Sequence, residues 1–256
     1  MNTQSPKTAI ITGAARGIGL EIAERFASEN YTVVIIDRDE VALEACKNHL
    51  TNKPNYHFYP CDVSDENAVN ATFTAIIAMF LEIHALVNNA GVAIFKKAEE
   101  LTFHDWTSVM ACNLNATFLC SQVCIEALVR GKGSIVNIAS ISGFRASTLR
   151  MAYGTSKAAI MHLTKQQAVE YGNRGVRANA VAPGPVETEM AKLVHSADIR
   201  TSYADAIPLE RYGTKAEIAN VVYFLCSEQA TYINGQILGA DGGFDAAGVG
   251  LPSLRV

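Results

Sequence analysis

Residues 12–19 read TGAARGIG, and this stretch decides the fold of the chain. It follows the apolar run 8–11 and leads into a helical pattern. Glycines at positions 13, 17 and 19 allow a sharp turn, let bare backbone approach an anion, and let the helix pack closely on the strand. The spacing therefore predicts a strand, a phosphate-binding turn and a helix, the first unit of a dinucleotide-binding domain.

A second motif, YGTSK, covers residues 153–157. Tyr153 and Lys157 are four positions apart, so both side chains lie on one face of a helix. A nearby ammonium stabilises a phenolate and lowers the pKa of a tyrosine toward neutrality. The pair is therefore predicted to move a proton. Each motif alone is common in unrelated chains, but their joint placement is specific.

With these two motifs the chain resembles the short-chain dehydrogenase/reductase family, whose signatures are T-G-x3-G-x-G and Y-x3-K. The likeness extends from about residue 7 to residue 243. Further matches follow the order of the family: Asp62-Val63, the NNAG turn at 88–91, Asn113, Ser140, Asn179, Pro183-Gly184, Thr188 and the DGG run at 241–243. The resemblance implies a Rossmann fold and an NAD(P)-dependent oxidoreductase that acts on alcohols or ketones.

The order of elements agrees with that fold class. Apolar runs rich in β-branched residues alternate with helical patterns, which is typical of a parallel sheet covered on both faces. We expect one α/β domain over residues 1–256, a doubly wound seven-stranded parallel sheet with helices on both faces. Strands are predicted near 8–12, 32–37, 56–61, 84–88, 133–139, 176–181 and 235–239. Helices are predicted near 17–29, 40–50, 65–80, 103–130, 152–172 and 214–227.

Two stretches depart from this alternation. Residues 185–212 mix apolar and polar side chains after Pro183-Gly184, which predicts a mobile amphipathic flap, and the resemblance places the substrate lid there. The tail 244–256 has few charges and scattered apolar residues. It suits docking onto a neighbouring subunit, with a disordered end as the alternative.

The bulk properties favour small-molecule chemistry. The net charge is -4 and no run is rich in lysine or arginine, so we expect neither a nucleic-acid partner nor an anionic membrane surface. The N-terminus lacks a signal-peptide pattern, and polar residues interrupt every apolar run before 18 residues, so a cytoplasmic protein is expected. Six cysteines and six histidines show no metal-binding spacing, which predicts no metal site.

The predicted cofactor is NAD. Asp37 ends the strand TVVIID, 18 residues beyond Gly19, where a carboxylate can accept hydrogen bonds from both ribose hydroxyls and repel a 2′-phosphate. Arg16 and Arg38 are potential partners of that phosphate, so NADP is the alternative. Asp37 as the N-cap of the next helix is the structural alternative.

The resemblance implies the remaining contacts of the cofactor. Asp62 and Val63 would flank the adenine, the backbone near Asn89 would line the ribose side, and Val186 and Thr188 would hold the nicotinamide carboxamide. Asp62 at a helix start and Thr188 as a helix cap are the structural alternatives. The full expected set is Gly13, Arg16, Gly17, Ile18, Gly19, Asp37, Asp62, Val63, Asn89, Ala90, Gly91, Tyr153, Lys157, Val186 and Thr188.

Four residues form the predicted catalytic set. Reduction of a carbonyl places negative charge on oxygen, so the site needs a hydrogen-bond donor and a proton there. Tyr153 can supply the proton, and Lys157 the cation that a phenolate requires. Ser140 follows the strand SIVNIA at the ligand-binding edge and can hold the substrate oxygen, with a plain turn serine as the alternative. By resemblance Asn113 holds a water that connects Lys157 to solvent; its residue type alone fits polar helix surface equally.

Three functions are compared. The leading one is hydride transfer between NAD(H) and a secondary alcohol or ketone, with Tyr153 as general acid and base. The second is an NADPH-dependent 3-oxoacyl carrier-protein reductase. The third is a nucleotide-sensing protein without turnover, which the presence of both Tyr153 and Lys157 disfavours. Arg145 and Arg150 could meet an anionic substrate, although exposed or paired arginines are the common case. By resemblance, a homotetramer forms through the helices near 103–130 and 152–172 and through the last strand and tail.

Overall fold

The computed structural model describes residues 6–50, 53 and 55–248. One sheet of seven strands runs through them in the order β3-β2-β1-β4-β5-β6-β7, and every neighbouring pair is parallel. The order reverses between β1 and β4, so a crevice opens at their carboxyl ends, where ligands bind in such sheets. The strands are β1 (Thr8–Thr12), β2 (Thr32–Asp37), β3 (Tyr56–Pro60), β4 (Ala85–Asn88), β5 (Ser134–Ile138), β6 (Arg177–Pro183) and β7 (Ile237–Ala240).

Helices cover both faces of this sheet. They are α1 (Gly17–Ser28), α2 (Glu40–His49), α3 (Glu66–Met79), α4 (Phe103–Met110), α5 (Ala116–Gly131), α6 (Ile141–Phe144), α7 (Met151–Gly172), α8 (Glu189–Val194), α9 (Ala197–Ala206) and α10 (Lys215–Cys226). Helices α1, α2 and α10 contribute to the core on one face, and α3, α5 and α7 to the core on the other. The predicted doubly wound sheet is confirmed.

The continuous apolar runs follow from this burial. Along β1, Ala9 and Ile11 belong to the core under α1, while Ile10 between them belongs to the core under α3 and α5. All three side chains are fully buried. A strand that is covered on both faces has no solvent side, so its sequence lacks the polar alternation of a half-exposed strand.

The helix predicted near 103–130 is interrupted. A π-helical segment, Ala111–Asn115, joins α4 to α5 and contains Asn113. The combined stretch Phe103–Gly131 is long and apolar enough, by length and composition, to span a membrane, although polar residues interrupt its apolar runs. Its most apolar window is 44% buried inside the protein, where Cys120, Cys124 and Leu128 pack under the sheet. Core packing accounts for the buried part of its apolar character.

The predicted flap at 185–212 contains two short helices, α8 and α9, that the sequence analysis did not identify. Of the tail 244–256, residues 249–256 lie outside the described part of the chain. The part that is described folds back onto its own chain: the carbonyl of Phe244 accepts a hydrogen bond of 2.8 Å from the Arg145 guanidinium. The start of the tail therefore packs within the subunit, whereas the sequence analysis expected the tail to dock on a neighbour.

Candidate active site

A cavity of about 250 Å³ opens at the carboxyl ends of the central strands. Ser140, Tyr153 and Lys157 line one side of it. Val186, Thr188, His195 and Tyr203 line it from the lid, and Phe244 from the start of the tail. The edge of the sheet that the topology marks for ligands is thus the place where the predicted catalytic residues meet.

The glycine turn enters the cavity wall through Ile18 at the start of α1. Gly13 has φ +61°, and a Cβ there would lie 2.8 Å from the Cα of Ala90. A Cβ at Gly19 would lie 2.4 Å from the carbonyl oxygen of Gly13. Neither position has room for a side chain, so both glycines are required by close packing.

Gly17 differs from its two neighbours in the motif. It has φ +65°, and no heavy atom lies within 4 Å of the position that a Cβ would take. The Arg16 side chain makes no capping hydrogen bond to the first turn of α1, so that turn presents its backbone N–H groups to the open space. This cradle fits an anionic pyrophosphate at a helix N-terminus.

The NNAG turn is tied to the glycine turn. The hydroxyl of Thr12 accepts hydrogen bonds of 3.1 Å from the backbone N–H groups of Asn89 and Ala90. The Asn89 amide donates to the carbonyls of Thr12 and Gly13, each at 2.9 Å. Asn89 and Gly91 both line the cavity. The expected ribose-side residues therefore lie beside the phosphate cradle.

Asp37 lies at the end of β2, next to that cradle. Its carboxylate accepts hydrogen bonds from the backbone N–H of Ala15, at 3.2 Å, and of Asp39, at 3.1 Å. The N-cap of α2 is Asp39, which accepts from the N–H of Ala42 at 3.0 Å. The alternative that Asp37 is the helix cap is therefore wrong.

Both arginines that compete for a 2′-phosphate are paired with carboxylates. Arg16 bonds Asp39 at 2.7 Å, and Arg38 bonds Asp62 at 3.4 Å. Burial raises the pKa of Asp62, but hydrogen bonds from Ser64 and Arg38 outweigh burial and hold that pKa below its ordinary value. A phosphate at this place would compete with two carboxylates for the guanidinium groups.

Asp62 does not begin a helix either. Its carboxylate accepts from the backbone N–H and the hydroxyl of Ser64, at 3.0 and 2.7 Å, while Asp65 caps α3. Val63 is buried in the core under α3. The helix-start alternative for Asp62 is wrong, and the carboxylate stands in the loop after β3.

Lys157 is buried on α7 beneath the cavity, and 4% of its surface is exposed. Its Nζ donates a hydrogen bond of 2.6 Å to the carbonyl of Ile138 at the end of β5. The same nitrogen lies 5.7 Å from the centre of the Tyr153 ring. Burial lowers the pKa of Lys157 to about 8, so a large fraction of the amine is neutral in mildly basic solution.

Tyr153 has the opposite shift. Burial raises the pKa of Tyr153, while a hydrogen bond with Ser140 and the charge of the Arg150 guanidinium act in the lowering direction without overcoming it. The expectation that Lys157 lowers this pKa is not met, because burial dominates. The phenol therefore retains its proton at neutral pH.

Ser140 follows β5 and is buried. Its hydroxyl accepts a hydrogen bond of 3.1 Å from the backbone N–H of Ser142 and so caps the short helix α6. The turn-serine alternative is thus correct as a description of its backbone role. The same hydroxyl still has a proton to donate into the cavity that it lines.

Asn113 is fully buried, so its interpretation as polar helix surface is wrong. Its Oδ1 accepts from the N–H of Val92 at 2.8 Å, and its Nδ2 donates to the Val92 carbonyl at 3.0 Å and to Ser156 at 2.9 Å. A Cβ at Gly91 would lie 3.3 Å from this Oδ1 and 3.4 Å from the Lys157 Nζ. Asn113 and Lys157 therefore meet at the same glycine of the NNAG turn.

The lid is held by polar and aromatic contacts. Thr188 caps α8 by accepting from the N–H of Ala191 at 3.1 Å, as its structural alternative stated, and it also lines the cavity. His195 hydrogen-bonds the Tyr212 hydroxyl at 3.0 Å. The rings of Tyr203 and Phe244 meet edge to face with their centres 5.9 Å apart.

The sequence analysis missed Phe244 as a cavity residue. Its position directly after the DGG run is the signal that could have identified it.

Fold and site together define a Rossmann-type oxidoreductase that uses a nicotinamide dinucleotide. A family model described as enoyl-(acyl carrier protein) reductase matches residues 13–245. The chain belongs to the short-chain dehydrogenase/reductase family, as the resemblance predicted. It is an NAD(P)-dependent enzyme that acts on alcohol or ketone substrates.

Two curated proteins and one solved structure illustrate the likeness. The chain is 38% identical over 240 residues to the 3-oxoacyl-(acyl-carrier-protein) reductase of Aquifex aeolicus, covering 93% of this chain and 96% of the relative. It is 39% identical over 252 residues to the 2-(R)-hydroxypropyl-CoM dehydrogenase of Xanthobacter autotrophicus, covering 94% and 99%. A gluconate 5-dehydrogenase from Burkholderia cenocepacia, solved with NADP and tartrate, has a TM-score of 0.89 and 30% identity over 94% of this chain and 96% of that one.

Proposed function

We propose that the protein transfers a hydride between NAD(H) and a secondary alcohol or ketone, with Tyr153 as the general acid and base. One observation carries this proposal: a single cavity brings Ser140, Tyr153 and Lys157 together next to the glycine turn.

The residues of the cradle would hold the cofactor. The backbone of the 13–19 turn and the start of α1 would bind the pyrophosphate, Asp37 the adenosine ribose, and the loop with Asp62 and Val63 the adenine. Val186 and Thr188 would hold the carboxamide end, since both line the cavity on the lid side. When bound, the nicotinamide supplies or accepts the hydride at the substrate carbon.

The chain's own residues handle the proton. In reduction, the substrate oxygen accepts hydrogen bonds from Ser140 and Tyr153, and the Tyr153 hydroxyl transfers its proton to that oxygen as the carbon gains the hydride. The ketone thus takes up one hydride and one proton to become the alcohol. In oxidation the tyrosinate removes the proton of the alcohol. The raised pKa of Tyr153 favours the proton-donating direction at neutral pH.

Lys157 and Asn113 complete the proposed tetrad. The Lys157 amine has a pKa of about 8, so it can accept or release a proton near neutral pH and restore the proton of Tyr153. Asn113 fixes Val92 beside the Gly91 turn through two side-chain hydrogen bonds, and a third, to Ser156, ties it to α7 next to Lys157. We assign it a positioning role, in addition to the water-holding role that the resemblance implies.

NAD is the proposed cofactor because of charge at the end of β2. A 2′-phosphate at the ribose would lie near the carboxylates of Asp37 and Asp39, and both nearby arginines are already paired. Like charges at close range disfavour the wrong ligand. NADP is the alternative, supported by the NADP in the gluconate 5-dehydrogenase structure.

A titration of NADH and of NADPH into the purified protein, followed by nicotinamide fluorescence, tests this choice. We expect wild type to bind NADH more tightly and Asp37→Ser to reduce the preference by about tenfold, the effect of one charge-assisted contact. Glu40→Gln removes an exposed neighbouring charge on α2 and should leave the preference unchanged. Tighter NADPH binding by wild type would contradict the NAD proposal.

The similarity to the Aquifex aeolicus reductase favours one second candidate, an NADPH-dependent reductase of 3-oxoacyl carrier-protein substrates. The two candidates differ in both cofactor and substrate. Acetoacetyl-coenzyme A consumed faster with NADPH than any simple ketone with NADH would establish the second candidate. The reverse result would establish the first.

We also infer that the enzyme works in the cytoplasm as a homotetramer on small molecules, with no nucleic-acid or membrane partner. The net charge of -4, without a basic run, supports small-molecule chemistry. Phe118 on α5 and Val169 on α7 remain 46% and 76% exposed, and these are the two helices through which assembly is proposed. A subunit contact on these two helices would bury both apolar side chains.

A further inference from the structure

Arg150 lines the cavity immediately before α7. The carbon of its guanidinium lies 4.8 Å from the centre of the Phe95 ring and 5.9 Å from the centre of the Tyr153 ring. Among the described residues, its guanidinium has no ion pair and no hydrogen-bond acceptor. By contrast, Arg145 bonds the Phe244 carbonyl and lies outside this wall.

The charge around Arg150 is not balanced by the protein. The described lining of the cavity contains no aspartate and no glutamate, while the basic residues Arg150 and Lys157 are both part of it. Glu187, which lies close to the lid histidine, is already ion-paired with Arg200. The space next to Tyr153 is therefore electropositive.

The positive charge of Arg150 also affects the pKa of His195 in the lid. Burial lowers the pKa of His195, and the guanidinium groups of Arg150 and Arg200 lower it further. The histidine thus stays neutral at neutral pH and does not compete with Arg150 for an anion. A half-buried guanidinium lying over two aromatic rings has lost part of its water without gaining a carboxylate in exchange.

We infer that the substrate of the proposed reaction carries a carboxylate, or a monoanionic acid group of the same shape, which Arg150 binds. The inference rests on the proposed function, since it assumes turnover at Tyr153. A guanidinium presents two parallel N–H donors that match a carboxylate, and its single charge matches a monoanion. Because the guanidinium lies 5.9 Å from the Tyr153 ring centre, the acid group and the reacting carbon are separated by only a few bonds.

The test compares keto acids with their neutral methyl esters. The pairs are pyruvate, acetoacetate and 4-oxopentanoate, each against its ester, assayed for oxidation of NADH and NADPH. We expect wild type to favour the acid in at least one pair. Arg150→Gln should lower kcat/KM for that acid at least about tenfold, mainly through KM, and change the ester by less than about threefold.

Two further variants separate binding from packing. Arg150→Lys keeps the charge but loses the forked geometry, so it should recover part of the preference for the acid. Arg174→Gln removes the same charge from an exposed guanidinium after the far end of α7, outside the cavity lining, and should leave the ratio of acid to ester unchanged. Equal loss of acid and ester activity in Arg150→Gln would show a packing role only and overturn the inference.

The outcomes distinguish the two proposals. Esters preferred by wild type, with the same ratio in Arg150→Gln, would overturn the carboxylate inference while the dehydrogenase function stands. Failure of all six compounds to oxidise either cofactor, together with no binding of NADH or NADPH in the fluorescence titration, would count against the proposed function. Calorimetric titration of acetoacetate then decides the binding role: binding to wild type that is lost in Arg150→Gln supports it, and equal heats in both overturn it.

Discussion

Tyr153 and Lys157 lie one helical turn apart on α7, and burial moves their pKa values in opposite directions. The phenol becomes a weaker acid and the ammonium a stronger one. Both shifts favour the neutral forms. The Tyr153 oxygen therefore keeps its proton, while the pKa of Lys157 is close enough to neutral pH for its ammonium to release a proton. The site is thus prepared to donate a proton without carrying two buried charges.

The first prediction concerns the proton itself. Tyr153→Phe removes the hydroxyl and keeps the ring, so kcat should fall by about 10²–10⁴-fold, the usual contribution of a general acid. The dissociation constant for the cofactor should change by less than about threefold, since the phosphate cradle is untouched. Steady-state kinetics and fluorescence titration measure the two values. Tyr232→Phe, at a fully exposed position, is the matched control, and full activity in Tyr153→Phe would refute the mechanism.

The second prediction concerns the free energy of unfolding, which the buried ammonium of Lys157 lowers. The pKa of Lys157 falls from 10.5 to about 8 on folding, a shift equivalent to about 3 kcal/mol of penalty on the ammonium in the folded state. Below pH 8 both states are protonated and the full penalty applies. Between pH 8 and 10.5 the unfolded chain binds more protons, so this contribution to stability rises with pH.

Lys157→Met should therefore be inactive yet more stable than wild type at pH 7 by about 1–3 kcal/mol, after allowing for the lost hydrogen bond to Ile138. Urea unfolding at pH 7 and pH 10 measures the difference, which should shrink at the higher pH. Lys165→Met, an exposed lysine on the same helix, should shift stability by less than about 0.5 kcal/mol. A gap that is independent of pH would contradict the assigned shift.

Among the secondary-structure elements, those that depend on local sequence were predictable and those that depend on tertiary contact were not. The glycine turn and the seven strands follow from glycine placement and continuous apolar runs. Helices α8 and α9, of six and ten residues, are too short to form on propensity alone and rely on contacts such as His195 with Tyr212. The π-helical segment shifts the helical register at Asn113, so a 3.6-residue period could not reveal that its side chain is buried.

The features of the candidate active site also divide into those that the sequence predicted and those that depend on tertiary contact. Tyr153, Lys157 and Ser140 were identified because their spacing and position after a strand have direct chemical meaning. The pairing of Arg16 with Asp39 and of Arg38 with Asp62 joins side chains 23 and 24 residues apart, which sequence alone could not reveal. Phe244 reaches the cavity only because the chain after β7 turns back toward the lid.

A buried polar cluster links β4 and β5 to α7, and it gives the third prediction. Asn137 donates to Thr164 at 2.9 Å and to Gln167 at 2.8 Å, and accepts from Asn88 at 2.8 Å. Asn137→Ala would remove one hydrogen-bond partner from each of these three buried side chains. The free energy of unfolding should therefore fall by about 2–4 kcal/mol. Urea denaturation measures it. Asn70→Ala, on the exposed face of α3, should stay within about 0.5 kcal/mol of wild type, and an equally small effect at Asn137 would contradict the role of the cluster.

In the whole molecule, the cavity is assembled from parts of the chain that are distant in sequence. The glycine turn, the end of β5, the start of α7, the lid and the start of the tail all meet at the carboxyl edge of one sheet. The outer surfaces of α5 and α7, by contrast, keep apolar side chains exposed. One edge of the fold therefore carries the candidate site, and the proposed subunit contact lies on a separate surface.

The last prediction concerns that surface. Wild type should sediment as a tetramer, and Val169→Glu should shift it toward dimers or monomers, because a carboxylate buried in an apolar contact lacks a partner. Val41 on α2 is 82% exposed, comparable to the 76% of Val169, so Val41→Glu is a matched control on a helix outside the proposed contact. Sedimentation velocity at several protein concentrations gives the masses. A monomeric wild type would refute the tetramer, and identical masses for both variants would place the contact elsewhere on the surface.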